Sequence, residues 1–286
     1  MLITDAQIHL WDIDRPERPW PQPPRGRPQR PDGFSAPQAL AAMEAIGVDR
    51  CVIVPSLVAG DSNEFAIEAV RAHPERFSIM GRLDISNPAN AELLPTWTQQ
   101  PGMLGIRLAG GLRPLAEQIA DGSLEWLWAG CERHNVPIMM LPGPPALEAV
   151  GGVAERHPGL TIVLDHLSLR LVEDGTAFDT LDSTLALARF PKVHVKVSSV
   201  PNFSVEPYPY RDVHQPMRRV YDAYGPRRMF WGSDFTRLRG TYMDCLRLFR
   251  DELDFLSAED REWILGKGIA ECLGWPETPR KAYRPE

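Results

Sequence analysis

Long apolar runs are missing from this chain: no stretch approaches the roughly 18 residues that a membrane-spanning helix requires. Basic runs and basic helices are missing too, and the formal charge is −7, which argues against a nucleic-acid partner. Cysteine is scarce. The four in 286 residues, Cys51, Cys131, Cys245 and Cys272, include no Cys-x-x-Cys pair. They are expected to be reduced, buried thiols of a cytoplasmic protein rather than a disulfide framework. No Gly-x-Gly-x-x-Gly follows an apolar segment, which weakens a dinucleotide-binding sheet. Strand-like sequence begins at the second residue, so no signal peptide is expected. There is no internal repeat and no composition shift, so residues 1–286 are expected to form one domain.

What the chain has is a rhythm. Its opening stretch, Leu2 to Asp12, has strand character from Ile3, Ile8 and Leu10. Alternation then predicts Asp5, Gln7 and His9 on one face. A Pro- and Arg-rich segment from Pro16 to Pro31 excludes helix and central strand, since proline lacks an amide donor and fixes φ. It reads either as a disordered loop or as a lid over a site. Buried strands are expected at Cys51–Val54, Phe77–Met80, Met103–Leu108, Val136–Leu141, Leu160–His166, Val193–Val197 and Arg228–Asp234. Helices are expected over Ala36–Ile46, Asp61–Ala72, Asn90–Gln99, Ser123–His134, Pro145–Arg156, Ala177–Arg189, Val213–Ala223, Met243–Glu252 and Glu259–Gly266. Short apolar strands alternating with amphipathic helices imply a parallel sheet covered by helices. Eight such units in this length predict an α/β fold, a single (β/α)8 TIM barrel.

Such barrels carry chemistry at the C-terminal ends of their strands. The polar residues there are Gln7 and His9 on strand 1, Arg82 on strand 3, Arg107 on strand 4, His166 on strand 6, Lys196 and Ser198 on strand 7 and Asp234 on strand 8. Strand 5 ends in Met139-Met140-Leu141, with nothing titratable. Strands 1 and 8 are neighbours in a closed barrel, so His9 and Asp234 can approach as an acid–base pair or as the start of a metal site. Each residue also has a structural reading. Asp234 can cap a following helix, His166 can bond a neighbouring strand end, and Lys196 and Arg107 can pair with carboxylates. His73 and His157 read as helix C-terminal residues; His134 and His194 read as non-catalytic, and His214 is not placed.

Several pieces together resemble the amidohydrolase-related lactonases, the branch containing 2-pyrone-4,6-dicarboxylate lactonase, 4-sulfomuconolactone hydrolase and sugar-lactone hydrolases. They are Asp5-Ala-Gln-Ile-His-Leu-Trp11, Leu104-Gly-Ile-Arg-Leu108, Thr161-Ile-Val-Leu-Asp-His-Leu167, Val195-Lys-Val-Ser198, Tyr224-Gly-Pro-Arg-Arg-Met-Phe-Trp-Gly-Ser-Asp234 and Ile264-Leu-Gly-Lys-Gly-Ile-Ala270. The resemblance implies a distorted barrel of amidohydrolase type. It implies Asp234 as the base that takes a proton from water, with His9, His166 and Gln7 polarising a lactone carbonyl. Arg107, matching the family, and then Arg82, Lys196 and Ser198 are expected to bind substrate. The family's first strand usually reads Asp-x-His-x-His, and here Gln7 stands at the first His. Gln is a poor zinc ligand, and a strand-5 His is absent. No cofactor is therefore expected; the alternative is one zinc on His9, His166 and Asp234.

The competing functions are a metal-dependent decarboxylase of an aromatic or enoic acid on the same barrel, and a barrel that only binds a ligand. The expected partner is a small molecule, with no nucleic acid and no membrane. Arg82, Arg107, Arg170, Arg237 and Arg239, with Arg25, Arg27 and Arg30 in the first loop, gather positive charge on an acidic chain. That pattern points to an anionic substrate such as a carboxylated lactone.

Overall fold

The computed structural model describes residues 1–22, 26–108, 114–172 and 174–275. Eight strands run β1 (Thr4–Ile8), β2 (Arg50–Ile53), β3 (Phe77–Gly81), β4 (Met103–Leu108), β5 (Ile138–Met140), β6 (Ile162–Leu164), β7 (Val193–Ser198) and β8 (Met229–Gly232). Each pairs in parallel with the next in sequence order. Helices α1 (Ala36–Glu44), α2 (Glu64–Ala72), α3 (Leu115–Ala120), α4 (Glu125–Arg133), α5 (Leu147–Arg156), α6 (Leu181–Leu185), α7 (His214–Tyr224), α8 (Tyr242–Arg247), α9 (Ala258–Glu262) and α10 (Gly268–Leu273) complete the (β/α)8 barrel.

Strand alternation sorts the core into two layers. In β7, Val193, Val195 and Val197 face the helices, while Lys196 faces the lumen. The lower lumen is filled by Ala6, Val52, Val54, Met80, Met139, Val163 and Phe230, with Ile269, Leu273 and Trp275 packed against them from the C-terminal end of the chain. The helices follow the same logic. α7 buries Met217, Val220 and Tyr224 along one face and stops at Gly225, whose φ of 68° suits glycine. α1 opens with a reciprocal Ser35–Gln38 capping box.

Three expectations from sequence need correction. Residues 88–99 form the tighter 3₁₀ helix rather than an α-helix, because Pro95 lies inside it and cannot donate to the ladder. The helix expected over 177–189 is α-helical only at Leu181–Leu185, where the Thr184 carbonyl accepts from the Tyr224 hydroxyl at 2.6 Å instead. And Asp5 does not share a face with Gln7 and His9. The β1–β2 register shifts between Asp5 and Ile8, so Ala6 and Gln7 both reach the lumen while Asp5 turns to the helix side.

That turned carboxylate helps to close the barrel. Asp5 Oδ1 accepts from the Ser233 and Gln7 amides, both at 2.9 Å, and Oδ2 accepts from the Tyr242 hydroxyl at 2.7 Å. The Asp234 amide donates to the Gln7 carbonyl at 2.9 Å, so the end of β8 is bonded to β1. Gly232 is needed there: a Cβ would stand 3.2 Å from both the Gln7 nitrogen and the Ser198 Cβ. Asp5→Ala orphans several buried donors at once. Urea unfolding of this variant is expected to show a loss of about 3 kcal/mol or more; a loss under about 1 kcal/mol, within the reach of one ordinary hydrogen bond, would remove Asp5 from barrel closure.

Candidate active site

At the C-terminal ends of the strands, the backbone is held in a conformation L-residues avoid. His166, Leu167 and Ser168 after β6, Ser199 after β7 and Asp234 after β8 all have φ between 51° and 58°. Each costs about 1–2 kcal/mol relative to ordinary backbone, and such residues cluster where function over-determines geometry. Here the turns aim His166 and Asp234 at a common point. His166 Nε2 lies 3.9 Å from Asp234 Oδ2, and His9 Nε2 lies 3.2 Å from Oδ1. Asp234 is almost fully buried, and its side chain does not cap the turn that follows. Oδ1 receives no properly aligned hydrogen bond among the described residues.

Each neighbour of that carboxylate is itself fixed. His9 Nδ1 lies 2.7 Å from the Val54 carbonyl, which commits the Nδ1 hydrogen and turns Nε2 to the site. Gln7 Nε2 is 3.2 Å from the same His9 Nε2, and Gln7 Oε1 accepts from the Lys196 ammonium. Ser198 Oγ lies 2.8 Å from His166 Nδ1. With that hydroxyl donating, the ring hydrogen sits on Nε2, facing Asp234. Burial holds His166 below its ordinary pKa, partly offset by Asp234 and Asp165, so the ring is neutral at pH 7. Burial pushes the Asp234 carboxyl up, but its close contacts with His9 and His166 and the charge of Arg237 more than reverse this. The group is held well below the usual carboxylate range and stays ionised.

Asp165, unassigned in the sequence reading, is the counter-charge for the lumen. It is completely buried, Lys196 Nζ is 2.7 Å from its Oδ1, and the Arg107 guanidinium donates to Oδ2. Burial raises its pKa, and Lys196, Arg107 and His166 bring it below the ordinary value. The signal that could have found it is an acid directly before His166 at a strand end. Lys196, expected to bind substrate, has no exposed surface, and Arg107 is committed to Asp165 and to the Leu108 carbonyl. Arg82 is set toward the loop after β2: its Nε donates to the Gly60 carbonyl at 2.6 Å, and Asn63 holds its backbone on both sides. The structure thus gathers Gln7, His9, Arg107, His166, Lys196, Ser198 and Asp234 at one end of the lumen and engages Arg82 elsewhere. Arg237 is exposed on the turn after Asp234.

The first loop is folded back over that turn. Gln29 bonds Thr236 and Arg237, and Arg30 lies over the neighbouring rings of Phe34 and Phe235, 5.2 and 5.1 Å from their centres. Residues 23–25, including Arg25, lie outside the described residues.

A zinc ion would draw its donors from His9, His166 and Asp234. The Gln7 amide hydrogens face the His9 nitrogen that would bind it, and a lysine ammonium stands behind that amide. Among the described residues no group of three or more His, Cys, Asp or Glu is arranged to hold a metal. The residues present do not fit the ion.

Along most of its length the chain is similar to known proteins. A profile of the family described as Amidohydrolase matches residues 4–275. An L-fucono-1,5-lactonase of Burkholderia ambifaria is 28% identical, over 84% of this chain and 83% of that protein. A 4-sulfomuconolactone hydrolase of Hydrogenophaga intermedia is 26% identical, over 81% of this chain and 77% of that one. Among solved structures, an amidohydrolase from Burkholderia multivorans with bound zinc superposes with a TM-score of 0.80 at 23% identity, covering 96% of this chain and 100% of that one. That likeness concerns the fold.

Asp165→Asn would leave two buried cations, Arg107 and Lys196, without their shared anion. Denaturant unfolding is expected to show a loss of about 3–5 kcal/mol. A variant as stable as the parent would mean that water or another group already neutralises them.

Proposed function

The chain belongs to the amidohydrolase family, and from that premise we propose that it opens a small lactone by general-base activation of water, without a metal. The lactone-hydrolase relatives support the ester substrate. The observation that carries the mechanism is the buried Asp234 carboxylate, with one oxygen unbonded, between His9 and His166.

In this reading a lactone carbonyl sits against the Gln7 amide and the ring hydrogen of His166. Asp234 accepts a proton as water attacks the carbonyl carbon. The oxyanion that forms is met by those N–H donors, fixed beforehand by Lys196 and Ser198, so little reorganisation is needed. When the ring C–O bond breaks, Asp234 returns the proton to the departing alkoxide, leaving a hydroxy acid. A lactone is reactive enough for this without a Lewis acid. The decarboxylase alternative needs a tightly held metal, which this donor set does not fit. The free thiols, three of them buried, support a cytoplasmic setting. For an anionic substrate, exposed Arg237 complements Arg107, which is tied to Asp165.

Two outcomes test this. Asp234→Asn should still fold, though less stably for the loss of a buried anion, and lose about 10²–10⁴-fold in kcat/KM. In the parent, the acid limb due to Asp234 should lie below about pH 4, because a base with a lowered pKa is lost only when pH falls through that lowered value. A folded variant with near-parental turnover would take Asp234 out of the chemistry. Dialysis against a chelator should leave hydrolysis intact, with metal content far below one ion per chain. Activity that tracks stoichiometric zinc would instead place the ion on His9, His166 and Asp234.

A further inference from the structure

We propose that Lys196 is a positioning residue: its ammonium fixes the rotation of the Gln7 carboxamide, so that the amide hydrogens and not the oxygen face the reacting centre. The kinetic consequence rests on the lactone-hydrolase reading above; the geometry does not.

A carboxamide is nearly symmetric in shape. Turning it over exchanges a donor for an acceptor at almost no steric cost. In a site that must stabilise an oxyanion, the wrong rotamer would place an oxygen beside developing negative charge. Something must therefore hold the group one way round. Lys196 does so because an ammonium has three donors and no acceptor, so only Oε1 of Gln7 can face it. The ammonium in turn has little freedom. It has no exposed surface and lies 2.7 Å from Asp165 Oδ1, 3.3 Å from the Ala6 carbonyl and 3.4 Å from Met139 Sδ. Gln7 is held from its backbone as well, by Asp5 on its amide and by the Asp234 amide on its carbonyl. The result is that Nε2 projects to His9, 3.2 Å away, whose ring is pinned by Val54. The relay runs Asp165, Lys196, Gln7 and then the site. Lys196 touches no substrate; it acts through Gln7.

The test has a spectroscopic and a kinetic arm. In isotope-labelled parent protein, NMR should show the Gln7 side-chain amide in one orientation, its hydrogens close to the His9 ring. Amide hydrogens found beside the Lys196 methylenes instead would overturn the proposal. This measurement needs no variant and no substrate, so it decides the orientation even if Lys196→Met fails to fold or the parent opens no lactone. For the kinetics, Lys196→Met keeps the length and removes the charge. It should lower kcat about 10- to 100-fold, the usual effect of removing a partner that orients a site residue, and leave KM within about twofold. Gln7→Glu keeps an oxygen for Lys196 but loses the amide hydrogens, and should cost as much. Combining the two should cost no more than either alone, since both break one relay. Losses that multiply, or a raised KM with unchanged kcat, would show that Lys196 does not act through Gln7.

Discussion

A lysine ammonium with no exposed surface stands inside the barrel, and the site above it is arranged around keeping that charge in place. Moving an ammonium out of water costs several kcal/mol even after relaxation, and only close anions and acceptors offset it. Asp165 supplies the anion, and Gln7 Oε1 and the Ala6 carbonyl supply acceptors. Burial still pulls Lys196 below its ordinary pKa, against the attraction of Asp165. Because Arg107 shares Asp165, the lumen holds two cations on one carboxylate. The second buried anion, Asp234, balances the sum, so the charge of the proposed base is part of what makes the barrel interior tolerable.

The other constraint is conformational. Three successive strand ends, after β6, β7 and β8, leave the barrel through left-handed turns made by non-glycine residues. The strain is offset by bonds that over-determine each turn: Thr184 to the Leu167 carbonyl at 2.6 Å, the Asn202 amide to the Ser199 carbonyl at 2.8 Å, and the Arg237 amide to the Asp234 carbonyl at 2.8 Å. The histidine and the aspartate therefore meet on short, stiff segments rather than on long loops, which suits donors that must be in place before charge develops. The first loop adds a cover from the other side, through Gln29 and the stacked Arg30.

Much of this was legible in the sequence, for physical reasons. Eight apolar strands alternating with amphipathic helices admit few arrangements, so the barrel followed from periodicity. The polar residues at strand ends followed from the barrel. The run ending at Asp234 was among the pieces that carry the family resemblance, and its Gly232 abuts Gln7 and Ser198. What could not be read was direction. A one-residue shift in β1 turned Asp5 outward, and alternation alone cannot see a bulge. That Lys196 and Arg107 pair with carboxylates was one of their two readings, but that both share the buried Asp165 was not legible, because Asp165 lies far from each in sequence. Pro95 was visible, but its effect of tightening the whole 88–99 segment depended on how that segment packs.

If the Asp234 carboxylate drives water onto a lactone carbonyl without a metal, the oxygen of that water ends in the acid that forms. Ring opening in oxygen-18 water, with protein stripped of metal and the product read by mass spectrometry, tests it most directly. Turnover is expected, with the label in the new carboxylate and none in the released hydroxyl. No ring opening by the metal-free protein across a panel of carboxylated and sugar lactones, or label in the hydroxyl, would contradict it.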